Sequence, residues 1–126
     1  MNILISGDMA FFYDRNALWH NYDISNLRII ILNNHGGGIF RMIDGPSGFP
    51  ELEDYFETEQ RLTAVNTASD FKMKYFSASD CSSLSIVLKE FFSLPGSPAI
   101  LEIQTDSKKN TKIFSRLKDE IQKIWN

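Results

Sequence analysis

Apolar residues in this chain gather into short blocks that follow one another in a regular order. Ile3, Leu4 and Ile5 make a β-suited run closed by Ser6, Gly7 and Asp8, and from Ala10 to about Tyr22 the chain is apolar on most sides, the pattern of a buried helix. Leu27 to Leu32 is almost wholly branched aliphatic, as expected of a strand covered on both faces of a parallel sheet. Helical pattern resumes near Thr63 to Phe71, and Met73 to Phe76 reads as a short strand. Leu84, Val87, Leu88 and Phe91 then share one helical face, with Asp80 placed to cap it. A turn through Pro95, Gly96 and Pro98 leads into a strand from Ala99 to Gln104. The last segment sets Ile113, Phe114, Leu117, Ile121 and Ile124 against Lys112, Arg116, Lys118, Asp119 and Lys123, an amphipathic closing helix. Strands alternating with helices predict an α/β fold: an open, mainly parallel sheet flanked by helices, with right-handed crossovers.

Residues 35 to 60 break this order. No period is sustained there, and Gly36, Gly37, Gly38, Gly45, Pro46, Gly48 and Pro50 interrupt the backbone. A loop of that length is usually disordered or functional. Its four aromatics, Phe40, Phe49, Tyr55 and Phe56, argue for a segment that packs down, and residues 35–60 are expected to form a lid.

At 126 residues the chain suffices for one domain with a real core and is read as a single unit, 1–126. Its net charge of −3 provides no basic field to draw in nucleic acid. Cys81 is the only cysteine, which excludes an internal disulfide and suits a reducing compartment, so a cytoplasmic location is expected. The opening apolar run is far too short for a secretory leader, and no later one approaches a membrane span. The abruptness with which Met1 and Asn2 enter what reads as a buried strand suggests a cut through a larger protein.

In open parallel sheets, ligands bind beyond the carboxyl ends of the strands, where the following helices point their N-termini. Asp8 and the pair Asn33, Asn34 fall at two such ends. A carboxylate, a neutral amide oxygen and a backbone carbonyl freed by a glycine are hard donors suited to Mg²⁺ or Ca²⁺. With only one formal charge from protein, such a cation is best neutralised by phosphate oxygens, so the set suggests a metal-bridged diphosphate; the helix from Met9 onward offers free N–H groups to the phosphate. Taken singly the halves are bland. Gly7-Asp8 before a helix reads as a turn with a capping acid, and Asn33-Asn34-His35 before three glycines as a loop start. Their order and spacing, with 24 residues between Asp8 and Asn33, carry the information.

That spacing resembles the signature of the thiamine-diphosphate enzymes. The resemblance implies Asp8, Asn34 and the Gly36 carbonyl as Mg²⁺ ligands, with Asn33 shaping the turn. It places Gly7, Asp8, Met9, Ala10, Asn34, Gly36 and Ile39 around the cofactor. More narrowly, "GDMAFFYDRNAL", "NNHGGGIF" and "YFETEQ" resemble the carboxyl-terminal part of the MenD family, the 2-succinyl-5-enolpyruvyl-6-hydroxy-3-cyclohexene-1-carboxylate synthases of menaquinone biosynthesis. On that resemblance the intact enzyme is a transferase that decarboxylates 2-oxoglutarate and adds the succinyl unit to isochorismate.

The family's activating glutamate lies on another domain of a second subunit, so no catalytic acid or base is assigned here, and the chain alone is expected to be inactive. Partners implied are the rest of the synthase and that second subunit, in a homodimer or dimer of dimers. Ile39 and Phe40 are read either as an apolar wall beside the cofactor or as loop packing. Ala10 stands where the family commonly has a hydroxyl. Arg41 stands where a small polar residue is common and is read as adding a carboxylate contact or as facing water, the second being expected; Glu57 and Glu59 are read as surface or lid residues. His20 is read as packed or exposed, and His35 has a slightly better claim to a role. The alternatives are a domain of an acetolactate synthase or 2-oxoacid decarboxylase, or a non-catalytic flavodoxin-like binding module. A dinucleotide site is disfavoured by the lack of Gly-x-Gly-x-x-Gly after the first strand, and a P-loop by the lack of Gly-Lys-Ser/Thr.

Overall fold

The computed structural model describes residues 1–20 and 22–125. Among these, four strands, β1 (Asn2–Gly7), β2 (Leu27–Asn33), β3 (Lys74–Ala78) and β4 (Ala99–Gln104), form one sheet in the order β1-β2-β4-β3, with every neighbouring pair parallel. Helices α1 (Asp8–Asp14), α2 (Val65–Asp70), α3 (Cys81–Ser93) and α4 (Ser107–Trp125) complete the regular structure. The chain divides into two compact units, one comprising Met1–Asn33 with Leu62–Gln104, the other Asn34–Arg61 with Thr105–Asn126.

The first unit holds the sheet. Alternation along the central strands sends Ile29, Ile31 and Ile100 to one face, where they are buried with Phe11, Ala64, Ala68 and Met73, and sends Ala99 and Leu101 to the other, against Phe91 of α3. Phe91 is fully buried, worth roughly 1.5–3 kcal/mol of transfer free energy. Asp80 starts α3 as expected: its carboxylate accepts from Ser83 N at 2.8 Å, and the Ser83 hydroxyl reciprocates at the cap's backbone, making a capping box. At the other end of α3 the buried Arg28 donates to the carbonyls of Phe91 (3.1 Å) and Leu94 (2.5 Å), which the helix end leaves open, and to that of Ser97 (2.7 Å) in the turn beyond.

Two local expectations fail. The first strand is an edge and not a buried strand, with Ile3, Leu4 and Ile5 exposed by 53%, 47% and 65%. The first helix is α-helical only to Asp14 and continues as a 3₁₀ turn over Arg15–Trp19; only Asp8 and Phe11 are buried in it, while Tyr13 and Trp19 face out. The helical crowding of aromatic and apolar residues reflected composition and not an enclosed position. Asn21, within the expected span of that helix, lies outside the described residues.

The second unit contains a looped segment and a helix. Short 3₁₀ turns at Gly38–Arg41 and Pro46–Gly48 and a π-helical turn at Leu52–Glu57 give residues 35–60 local order. The loop is closed at its base by a pair of backbone bonds, Gln60 N to His35 O (3.0 Å) and Gly37 N to Glu57 O (2.6 Å). Phe56 packs against Phe40 and Phe49 at ring separations of 5.9 and 6.0 Å, so three of the four loop aromatics cluster and Tyr55 stays exposed. α4 carries its apolar stripe as expected, and none of its described residues is buried. No helix among the described residues is long and apolar enough to cross a membrane.

Candidate functional site

The register of the sheet determines where the acid and the first amide fall. Gly7 pairs with Leu32 in β2, so Asp8 and Asn33 follow directly at neighbouring carboxyl ends. Gly7 is extended (φ −75°, ψ 158°) and caps α1, which makes Asp8 the first helical residue and not the cap. Asp8 is 2% exposed. Burial of a carboxylate is costly unless partners or a cation meet it, so a reading of Asp8 as an ordinary solvated cap does not describe this position.

Asn33 is fully buried and both hydrogens of its amide nitrogen are engaged: Nδ2 donates to Leu62 O at 3.1 Å and to Glu102 Oε1 at 2.6 Å. Glu102, itself fully buried in β4, accepts on its other oxygen from Ala64 N (3.0 Å) and the Tyr75 hydroxyl (2.6 Å). Partial burial, with the Glu102 carboxylate beside it, pushes the Tyr75 phenol up to about 12. Asn33 at the end of β2, Tyr75 near the start of β3 and Ala64 at the start of α2 thus meet on one carboxylate within β4.

In the second unit the three glycines form a tightly packed turn, closest at Gly36 and Gly38. A Cβ at Gly36 would lie 2.8 Å from the Glu57 carbonyl oxygen, one at Gly37 3.1 Å from the Phe40 ring, and one at Gly38 2.5 Å from Asn34 Nδ2 and 3.2 Å from Ser107 Oγ. Glu57 braces this turn twice. Its backbone oxygen holds Gly37 N, and its carboxylate takes Arg41 in a fork, Nε to Oε1 at 3.0 Å and Nη2 to Oε2 at 2.6 Å, while also accepting from Ser107 Oγ. Outside this pair, Glu53 receives Arg41 Nη2 and Lys108 Nζ, each at 2.6 Å, and its carboxyl is held below the usual range by Lys108 and then Arg41. The bond to Glu57 in turn raises the Arg41 guanidinium above its ordinary value. Asn34, His35, Arg41, Glu57, Ser107 and Lys108 line a cleft of about 330 Å³ in this unit.

No family model matches the chain. Individual relatives do. It is 53% identical over 122 residues to a 2-succinyl-5-enolpyruvyl-6-hydroxy-3-cyclohexene-1-carboxylate synthase of Cytophaga hutchinsonii, an alignment covering 97% of this chain and 22% of that protein. Proteins of the same name from Christiangramia forsetii (46% over 111 residues, 88% of this chain, 19% of the relative) and Flavobacterium johnsoniae (41% over 120 residues, 95% and 22%) agree. The chain belongs to this synthase family. It spans about a fifth of the length of these curated relatives.

Several residues read from the synthase resemblance stand differently from expectation. Arg41 was expected to face water, yet its side chain is 15% exposed and forked onto Glu57. Of the two acids read as surface or lid residues, Glu57 is buried within the loop and Glu59 is exposed. Of the two wall candidates, Phe40 packs in the loop cluster while Ile39 keeps 60% of its surface open, so loop packing accounts for Phe40 alone. Gly7 and Ala10 are exposed, Met9, Asn34 and His35 half-buried, and Gly36 buried. Asp8 and Gly7 belong to the sheet unit; Asn34, Gly36 and Ile39 belong to the second. Asn33 and Glu102 form the part that reading by motif undervalued. The signal was a single acid in the run "AILEIQ", whose other inward positions are aliphatic.

Proposed function

We propose that this chain supplies the Mg²⁺- and diphosphate-holding portion of a thiamine-diphosphate-dependent synthase of menaquinone biosynthesis, one that decarboxylates 2-oxoglutarate and transfers the succinyl unit to isochorismate. The observation that carries the reading is a buried Asp8 at the carboxyl end of β1, whose neighbour β2 ends at Asn33 with Asn34 next in sequence, in a chain of the synthase family. The donors fit the group. Asp8, Asn34 and the Gly36 carbonyl are hard oxygens of the kind Mg²⁺ takes. Among the described residues no cluster of three His, Cys, Asp or Glu side chains competes as a metal site. The packing around Gly36 and Gly38 keeps side chains out of the turn.

When bound, thiamine diphosphate supplies the electron sink for decarboxylation. This chain's residues position and shield. Asp8 and Asn34 hold the cation, with Gly36 presenting its carbonyl. Gly7, Met9 and Ala10 line the start of α1, where first-turn N–H groups lack intrahelical acceptors and suit phosphate oxygens. Ile39, 60% exposed, offers an apolar face for the cofactor to cover. The activating carboxylate and the remaining substrate contacts come from synthase sequence outside this chain and from a second subunit, so the chain alone is inactive. Cys81, free and exposed, suits a reducing compartment, and the enzyme works in the cytoplasm.

The test places this chain over the aligned residues of the Cytophaga hutchinsonii synthase. Titration calorimetry then follows thiamine diphosphate with and without Mg²⁺. Binding should require the metal, and Asp8→Ala or Asn34→Ala should weaken it by about 100-fold or more, beyond the loss typical of outer-shell changes. Indifference to both substitutions would reduce Asp8 and Asn34 to turn residues. Turnover of 2-oxoglutarate with isochorismate should exceed turnover of pyruvate; the reverse preference would move the chain to an acetolactate-type enzyme.

A further inference from the structure

Glu102 poses a physical problem. It is fully buried in β4 between Leu101 and Ile103, and no lysine, arginine or histidine among the described residues pairs with it. A buried carboxylate without a cation is tolerated only when donors saturate it, and an apolar residue of similar size is often as stable or more so. The sheet would be served by leucine. What leucine would not provide is an acceptor for Asn33.

Glu102 and Leu62 together take both hydrogens of the Asn33 amide, so the side chain has one orientation: rotating it by half a turn would aim its oxygen at two acceptors. On its other oxygen Glu102 accepts from Ala64 N, and also from the Tyr75 hydroxyl, which does not touch the oxygen that holds Asn33. Asn33 is the last residue of β2, and Asn34 is bonded to it covalently. We propose that Glu102 is a positioning residue for metal binding, acting through Asn33 to fix the backbone from which Asn34 departs. This rests on the role proposed for Asn34 above.

Glu102→Gln keeps shape but replaces one acceptor by a donor, so either Asn33 Nδ2 or Ala64 N faces a hydrogen. The probe is Mg²⁺, titrated calorimetrically into the same full-length synthase in the presence of excess thiamine diphosphate. Glu102→Gln should lower the Mg²⁺ affinity about 10- to 100-fold, the range of outer-shell effects. Asn33→Ser cuts the same link from the other side. It should give a similar loss, also serving if Glu102→Gln fails to fold, and the double variant should lose no more than the worse single. Tyr75→Phe removes a different donor from Glu102 and leaves Asn33 in place. It should lower the melting temperature while leaving Mg²⁺ affinity within about twofold, a difference that a merely structural carboxylate would not produce. Unchanged Mg²⁺ affinity in Glu102→Gln or Asn33→Ser, or an equal loss in Tyr75→Phe, overturns the proposal. Absence of metal-dependent binding in the parent would instead overturn the proposed function beneath it.

Discussion

Methyl groups added at Gly36 or Gly38 have no room, whereas one at Gly48 has open space with nothing within 4 Å. At position 36 the obstacle is the Glu57 backbone oxygen, which a side-chain rotation does not move; at 38 it is the Asn34 amide itself. Gly38→Ala is therefore expected to displace Asn34, cost about 1–3 kcal/mol as overpacking does, and weaken the Mg²⁺ binding proposed above. Gly48→Ala should stay within about 0.5 kcal/mol of the parent by chemical denaturation. Tyr75 offers a spectroscopic check on the buried network. Its phenol is raised to about 12, first by burial and then by Glu102. Because the folded value is raised from 10.0, the stabilisation is complete below pH 10.0 and is lost as pH rises through about 12. The phenolate absorbance difference between the parent and Tyr75→Phe should have its midpoint near that upper value; a midpoint at 10.0 would mean that Glu102 and burial leave the phenol untouched.

Among the elements, α3 shows what pattern alone conveys. Its face of Leu84, Val87, Leu88 and Phe91 and its Asp80 cap are local features, written within a few residues of one another, and both are present in the fold. The four parallel strands were legible for the same reason: short aliphatic runs between helical stretches admit few topologies. Pairings distant in sequence were not. Arg41 and Glu57 are 16 residues apart in a segment without period, and nothing in either neighbourhood marks them as partners. Glu102 and Asn33 are 69 apart. The break in the first helix escaped too, because its aromatic residues look apolar whether or not anything covers them.

The same elements make testable statements. Asp80 is held below its ordinary value of 3.8 by the Ser83 backbone bond. Its contribution to α3 is thus full above pH 3.8 and is lost as pH falls through the lowered folded value, where amide exchange at Ser83 should accelerate. In the loop, Glu57→Gln leaves the Arg41 fork with one neutral acceptor. That should cost roughly 1.5–3 kcal/mol locally and speed proteolytic cleavage within residues 35–60, unless the backbone pairs at its base hold the loop without the fork.

For the molecule as a whole, the balance of covered and uncovered apolar surface matters most. In the sheet unit, β1 pairs on one side only, and its residues Ile3 and Ile5 align with Arg28 and Ile30 of β2, on the sheet face that α3 covers only further along. Leu32 on the same face is 45% exposed. An aliphatic edge strand with unpaired backbone groups and an uncovered face is a template for association, and a net charge of −3 repels weakly. The 126-residue chain is therefore expected to self-associate, with a weight-average mass that rises with concentration in sedimentation equilibrium. Ile3→Lys with Ile5→Lys places charge on the exposed edge, where neither side chain is buried. The pair should return the chain to a monomer and, since it removes no core contact, leave the melting temperature within a few degrees. A parent that stays monomeric across the concentration range would show that the open edge is satisfied within the chain itself. A pair of lysines that melts the fold would show that β1 contributes far more to the core than its exposure indicates.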